Sequence, residues 1–364
     1  LEVCAQKTES SSKDGITAQQ AAAHEAAIPQ TMEKYLSDGT LAELPLGFIF
    51  IKRQTSSGIR RGLLALVDLE SYEYAPGNKA LIRATEGTVE SRLPVRVEIR
   101  KKAPLEMPHV MVLFPDPKDS LMGSLEVLTR NREPLYSFDL MQNSGRISGW
   151  LLDSERDWNL VADLLGRIKA QARDGMLFAV GDGNHSLASA KQVYEASKGG
   201  PDEAFARFSL VEVGNVYDDS LIFESINRVV FGTDPQRLLK ELLEYYPGAY
   251  YGVGEGHCFT YCCGREEGHI TIPEPRAALP IGSLQIFLED YLSEHAGQID
   301  YIHGSNVVRS LGSRPGNIGF IVDPIDKESL FETVIFEGRL PRKTFSMGQA
   351  NDKRYYLEAR RIRG

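Results

Sequence analysis

Apolar residues recur along the chain at two different spacings, which together predict both helices and strands. A helical spacing follows Ser154, a residue suited to cap a helix: Trp158, Val161, Leu165 and Ile168 form an apolar stripe. Continuous or alternating apolar runs predict strands elsewhere in the chain. These runs read "GFIFIKRQ", "GLLALVDLESYEY", "HVMVLF", "MLFAV" and "ARFSLVEVGNV".

Prolines modify the predicted helices at three places. Residues 16–36 are alanine-rich and helical in character, but Pro29 is expected to interrupt this helix. Pro94 lies inside a second predicted helix, over about residues 88–101. Pro235 stands at the start of "PQRLLKELLEYY", where its missing N–H costs little.

The order of these elements predicts the fold class. Helix, strand, loop and helix follow one another in the middle of the chain, which indicates an α/β or α+β protein. We expect a mixed sheet with flanking helices and two intertwined or adjacent subdomains. The length of 364 residues suits two domains. We place an N-terminal α+β part at residues 1–150 and an α/β part at residues 151–364.

Composition and charge narrow the class of protein. The chain is 42% hydrophobic and 25% charged, as in ordinary globular proteins. No apolar run approaches the roughly 20 residues that span a bilayer, so we expect a soluble, cytoplasmic protein without a membrane partner. The net charge of −9 disfavours a non-specific nucleic-acid surface, so nucleic acid is not an expected partner. The sequence allows a homo-oligomer.

The four cysteines are predicted to be free thiols. Three of them lie in "HCFTYCC", close to two histidines. Thiolates and imidazoles are suitable zinc ligands, but adjacent cysteines do not easily reach one ion together. We therefore favour free thiols over a zinc site for Cys4, Cys258, Cys262 and Cys263.

The run "VGDGNHSLASAK" at residues 180–191 is the strongest candidate for chemistry. A strand-like segment ends here and a helical segment begins. Glycines at such a junction let backbone amides of the helix start converge on an anion. A carboxylate beside the anion is then a metal ligand or base, and a histidine neutralises developing charge. The candidates are catalytic Asp182 (also the metal ligand) and His185, and phosphate-binding Gly183, Asn184 and Ser186.

The same residues also suit an ordinary turn. Asp, Asn and Ser are common helix caps, and glycine is a common turn residue. No Gly-Lys-Ser/Thr sequence follows, which excludes a Walker loop, and the glycine spacing does not match Gly-x-Gly-x-x-Gly. The residues alone therefore leave both interpretations open.

Several segments resemble one prokaryotic family. The run "GDGNHS" resembles the Asp-Gly-His-His-Arg-Tyr signature of domain-of-unknown-function family 1015. Further similar segments extend over roughly residues 80–360. They read "LIRATEGTVESR", "ARFSLVEVGNVYDDSLIFESINRVVF", "IDYIHG" and "EGRLPRKTFSMGQANDKRYYLEAR".

The chain departs from that signature at two positions. Asn184 stands in place of the first histidine and Ser186 in place of the arginine, which removes a bidentate phosphate contact. The strand–helix junction of the family is in turn similar to that of the ParB and sulfiredoxin group. That group includes nucleotide-dependent proteins and free-serine kinases, so this resemblance implies nucleotide phosphates at the junction.

Other charged residues suit either a ligand site or an ordinary structural role. A basic turn near the C terminus either clamps phosphate or offsets the acidic protein. A histidine at the end of a predicted buried strand either binds ligand or is a satisfied core residue. Glu212, in an alternating strand, either faces solvent or lines a pocket. The ligand-binding candidates are Arg83, Glu86, His303, Arg342 and Lys343.

These observations favour an enzyme that binds a nucleotide or a phosphorylated small molecule. Phosphoryl transfer or phosphate-ester hydrolysis is the expected reaction, since it relies mainly on positioning and charge neutralisation. The hypothesis implies Mg²⁺ and a nucleotide as cofactors. Two alternatives stay open: a non-catalytic sensor of an anion or metabolite, and a nucleic-acid-associated module like those of the ParB group.

Overall fold

The computed structural model confirms the predicted fold class, with helices flanking mixed and antiparallel sheets. It describes residues 18–107, 110–348, 352–353, 355 and 357–363. The chain forms two compact units, and the first is discontinuous in sequence. These units are Leu1–Leu221 with Gln349–Gly364, and Ile222–Gly348.

This partition differs from the division after residue 150. Residue 150 lies inside the strand Arg146–Leu152, and the sheet that holds this strand also contains Phe178–Asp182 and Phe208–Asn215. Strands from both predicted parts therefore pair in one sheet. Composition gives no signal for such long-range pairing.

A mixed sheet of nine strands lies at the centre of the first unit, counted over the described residues. The strands of this unit are β1 Phe48–Thr55, β2 Gly58–Asp68, β3 Tyr72–Glu73, β4 Ile82–Ala84, β5 Leu105–Glu106, β6 Met111–Phe114, β7 Tyr136–Asp139, β8 Arg146–Leu152, β9 Phe178–Asp182 and β10 Phe208–Asn215. Their order across the sheet is β3-β4-β9-β6-β10-β2-β1-β8-β7, while β5 pairs with Arg360–Arg361. The neighbours β3, β4 and β9 run parallel, and β6 is antiparallel to β9.

Helix α4 of the first unit begins where a side chain satisfies one of its first amides. Ser154 accepts a hydrogen bond from the Asp157 N–H at 3.2 Å, as the sequence predicts. No helix among the described residues is long and apolar enough to cross a membrane. The helices are α1 Ala18–Ser37, α2 Leu93–Lys102, α3 Ser120–Thr129, α4 Glu155–Ala170, α5 Asn184–Ser197 and α6 Glu203–Ala206.

Two proline predictions need correction. Helix α1 continues across Pro29, because its apolar side packs against the cluster that contains Met32 and Leu105, and this burial offsets the lost hydrogen bond. Pro94 lies in the first turn of α2 instead of inside a longer helix. The preceding residues Glu90–Arg92 form a separate 3₁₀ turn.

The second unit is built on an antiparallel sheet. Its strands are β11 Phe223–Phe231, β12 Tyr250–Tyr251, β13 His257–Cys263, β14 Glu266–Ile272, β15 Gln298–His303, β16 Asn317–Ile321 and β17 Phe345–Met347. The order is β12-β14-β13-β16-β11-β15, and β17 also pairs with β11. The helices are α7 Pro235–Tyr245, α8 Pro280–Glu294, α9 Ser305–Gly312 and α10 Lys327–Glu337.

The strand before His303 was expected to be buried, and this is wrong. Strand β15 lies at the edge of the second sheet, and each of its residues is exposed or half-buried. An edge strand pairs on one side only, so its polar residues stay accessible to water.

The second unit is predicted to lose stability as the pH falls through the titration range of His257. Its Nδ1 lies 2.9 Å from the fully buried Ser283 hydroxyl, and burial lowers its pKa below 6.5. As the pH falls, His257 in the unfolded chain therefore binds its proton before His257 in the folded chain does. The contribution of the neutral imidazole to the free energy of unfolding is complete above pH 6.5 and is lost as the pH falls below that value.

The measurement is the melting temperature across this pH range. His257→Gln should flatten its pH dependence, whereas His269→Gln, at an exposed position of the same sheet, should leave the wild-type slope. Equal slopes in wild type and His257→Gln would contradict the assignment.

Candidate functional site

The junction between β9 and α5 favours glycine at position 183, both for its backbone conformation and for the space around it. Gly183 has φ 85° and ψ 24°, in the left-handed region. A Cβ atom added to Gly183 would lie 2.9 Å from Val110 Cγ2 and 3.0 Å from Val110 Cα. Residues 182–186 are called the Gly183 corner below.

The first turn of α5 presents amides to the corner. No side chain caps this helix, and its first intrahelical bond runs from the Leu187 N–H to the Gly183 carbonyl at 3.0 Å. The N–H groups of Asn184, His185 and Ser186 therefore precede the intrahelical ladder. Together with the helix dipole they make a suitable anion-binding position.

Asp182 links the corner to a lysine that is distant in sequence. Its Oδ1 accepts the Gly183 N–H at 2.9 Å, and its Oδ2 accepts the Lys353 ammonium at 2.7 Å. The side chains of Asp182 and Lys353 are 31% and 42% exposed, so both are accessible to a ligand. The two residues are 171 positions apart, and no local pattern in the sequence could identify the pair.

Asn184 fixes the helix start to the neighbouring strand. Its side chain is 9% exposed, accepts the Thr85 N–H at 3.3 Å and donates to the Val180 carbonyl at 3.4 Å. The Thr85 hydroxyl donates to the same carbonyl at 2.6 Å. Because β4 and β9 are parallel, their carboxyl ends meet at one edge, where these contacts form. Asn184 can thus offer a ligand its backbone N–H.

His185 is oriented by the loop that follows β4. Its Nε2 accepts the Val89 N–H at 3.1 Å, which places the proton of the neutral ring on Nδ1. An Nδ1–H group can donate to an anion. Ser186 and Glu86 are both half-buried, the first on the same helical turn and the second in that loop.

Arg83 has a structural environment. It is 2% exposed, and its guanidinium donates to Asp174 Oδ2 at 3.1 Å, to the Asp174 carbonyl at 2.6 Å and to the Ala80 carbonyl at 3.0 Å. These bonds hold the turn before β9, so we assign Arg83 no ligand.

His303, Arg342 and Lys343 belong to the second unit, and all three side chains are exposed there. The carbonyls of Arg342 and Lys343 accept hydrogen bonds from the buried Arg228 guanidinium at 2.6 and 2.8 Å. Arg342 also lies 5.5 Å from the centre of the Tyr301 ring. The basic turn is thus fixed through its backbone, with its charged ends in water.

A buried cluster of charges was not anticipated from the sequence. Glu212 is 1% exposed, and its Oε1 lies 3.2 Å from Arg60 Nε, so the solvated alternative is wrong. Strand β10 is an interior strand, and its residues 209–215 are buried. Arg53 lies opposite Arg60 in the register of the antiparallel strands β1 and β2. Burial and the Arg60 charge lower the pKa of Arg53, while Glu212 and Asp352 act in the opposite direction.

Neither the cysteines nor the carboxylates gather into a metal cluster within the described ranges. No group of three or more potential metal ligands occurs there. Cys258, Cys262 and Cys263 are free thiols, and burial raises the pKa of Cys262 and Cys263. Cys4 lies outside the described residues.

The family model DUF1015, described as a protein of unknown function, matches residues 6–361. The chain belongs to this family. The correspondence of the Gly183 corner to a family signature, and any relation to the ParB and sulfiredoxin group, stay predictions.

A search of curated proteins gave no match to this DUF1015 chain. Among solved structures, a free serine kinase in complex with AMP is 11% identical, with a TM-score of 0.44 over 82% of this chain and 91% of that one. A conserved hypothetical protein from Pyrococcus furiosus is 10% identical, with a TM-score of 0.42 over 82% and 95%. SbnI from Staphylococcus aureus is 14% identical, with a TM-score of 0.39 over 79% and 83%.

Substituting Gly183 is predicted to destabilise the fold more than substituting a matched glycine. Gly183→Ala and Gly199→Ala both place alanine in the left-handed region, at a cost of about 1–2 kcal/mol. Only Gly183→Ala also meets Val110, which adds about 1–3 kcal/mol of overpacking, whereas a Cβ at Gly199 meets nothing within 4 Å. Urea denaturation measures the free energy of unfolding of both variants. Equal losses in the two variants would contradict the prediction and would mean that Val110 moves aside at little cost.

Proposed function

We propose that this protein binds a nucleotide or a phosphorylated small molecule at the Gly183 corner and transfers its phosphoryl group. The uncapped start of α5 carries the proposal. Three successive amides, of Asn184, His185 and Ser186, precede the first intrahelical bond beside two accessible charged side chains. The amides and the Lys353 ammonium offer hydrogen-bond donors and positive charge to a phosphate, and the Asp182 carboxylate beside them is suited to act as a base.

The helix amides and the side chains of Asp182 and His185 each have a role in this proposal. Phosphate oxygens accept from the helix amides, and the His185 Nδ1–H donates to the same group. Asp182 accepts the proton of an attacking hydroxyl. The hydroxyl oxygen forms the new bond to phosphorus, and the bond to the leaving nucleoside diphosphate breaks.

A divalent cation is compatible with this inventory. Mg²⁺ keeps several waters and usually takes one or two protein carboxylates together with substrate phosphates. Asp182 is the carboxylate of the corner that would contact such a cation. The absence of a three-ligand cluster in the described residues is therefore consistent with a cation that arrives with the nucleotide.

Removing the Asp182 carboxylate or the His185 imidazole is predicted to slow turnover strongly while the protein still folds. Asp182→Asn and His185→Gln should each slow Mg²⁺-dependent consumption of ATP by about 100-fold or more, as expected for lost acid–base or charge-stabilising groups. The glutamine retains an acceptor for the Val89 N–H. ADP formation, measured with ATP alone and with a panel of small hydroxyl compounds, reads out the reaction.

Asp163→Asn, at an exposed position of α4, is the control and should behave as wild type. Binding of ATP or ADP without any turnover would favour a non-catalytic sensor. If ATP, ADP and inorganic phosphate all fail to bind the wild-type protein, the proposed site is wrong.

A further inference from the structure

The first turn of α5 lacks a cationic side chain of its own. Asn184 and Ser186 are neutral, and His185 accepts a hydrogen bond through Nε2 in its neutral form. A phosphate carries up to two negative charges, and helix amides alone supply only a partial positive charge. The ammonium of Lys353, 2.7 Å from Asp182 Oδ2, is the cation that the described contacts bring to this position.

The backbone next to Lys353 is anchored by the hairpin of β1 and β2. The Asp352 carbonyl accepts from Arg53 Nη1 at 3.0 Å and from Arg60 Nη1 at 2.8 Å. Arg53 Nη1 also donates to the Lys353 carbonyl. In the turn between the strands, Ser56 donates its N–H and hydroxyl to the Asp352 carboxylate at 3.0 and 2.6 Å.

These contacts fix the backbone of Lys353 and leave its ammonium group accessible. Asp352 is 6% exposed, whereas the Lys353 side chain is 42% exposed. An ammonium group has three N–H donors. Asp182 occupies one of them, which leaves donors for an anion that binds at the neighbouring helix amides.

We propose that Lys353 binds the ligand's phosphate, that Asp182 positions its ammonium, and that the Arg53–Arg60 pair holds the segment that carries it. This inference rests on the proposed function and deepens it, because it makes the site dependent on the C-terminal segment of the first unit, 171 positions from Asp182. The phosphate then lies between the helix amides and the ammonium, and Asp182 bridges the two through its two oxygens.

Binding of ADP to the full chain, measured by isothermal titration calorimetry, tests this assignment. Lys353→Met should weaken binding by about 10- to 100-fold, the loss expected for one charge-assisted hydrogen bond. Lys353→Arg should retain an intermediate affinity, because it restores the charge with a different geometry. Lys101→Met is the matched control, since Lys101 is similarly exposed and pairs with Glu98 at 3.0 Å.

The position of the lysine is tested separately at Asp352. Asp352→Ala removes both acceptors for Ser56 and should weaken ADP binding, whereas Asp352→Asn keeps an acceptor for the Ser56 N–H and should recover most of the affinity. The melting temperature of Lys353→Met should change little, because exposed ion pairs contribute little to stability.

The outcomes separate the two proposals. If wild type binds ADP and Lys353→Met binds it equally well, Lys353 has no role and only this inference is overturned. If wild type binds neither ADP nor inorganic phosphate, the proposed function and this inference are overturned together. A selective loss in Lys353→Met and in Asp352→Ala, with Lys101→Met as wild type, supports this inference and the phosphate binding on which the proposed function depends.

Discussion

The close contact between Gly183 and Val110 determines where the candidate site can exist. A side chain at position 183 would collide with Val110, the residue just before β6, and its backbone would be strained in the left-handed region. Glycine therefore lets β9 turn directly into α5 against the neighbouring strand. That turn directs the first amides of the helix, sets Asp182 beside them and brings Asn184 within reach of the loop after β4. The chemistry proposed for the corner depends on this backbone geometry before it depends on any charged side chain.

Charge in the first unit is arranged in two layers with different exposure. Arg53, Arg60 and Glu212 are buried, and their desolvation is offset by the ion pair between Arg60 and Glu212 and by backbone carbonyls of the C-terminal segment that accept from both arginines. Asp182 and Lys353 are partly exposed and remain able to exchange partners. The buried charges are suited to stabilise the fold, and the exposed charges are suited to bind a ligand. A segment near the end of the chain thereby contributes to a junction formed in the middle of it.

The parts of the fold and of the candidate site that depend on neighbouring residues could be predicted from the sequence. The parts that depend on contacts between distant segments could not. The β1–β2 hairpin, the Ser154 cap and the strand–glycine–helix junction follow from turn and capping preferences within a few residues. The contact of Lys353 with Asp182 and the burial of Glu212 follow from which strands and segments become neighbours, which a single sequence does not encode locally. Arg83 shows the same limit, because its partner Asp174 approaches only when β4 and β9 pair.

The central claim is that phosphate binds at the amides that open α5. The most direct measurement is a titration of the ¹⁵N-labelled protein with ADP, followed by amide chemical shifts. The account predicts that the amide signals of Asn184, His185 and Ser186 shift first and furthest, as expected for N–H groups that become donors to an anion. If ADP binds while these three signals stay in place and others move, the ligand occupies a different site and the account is wrong.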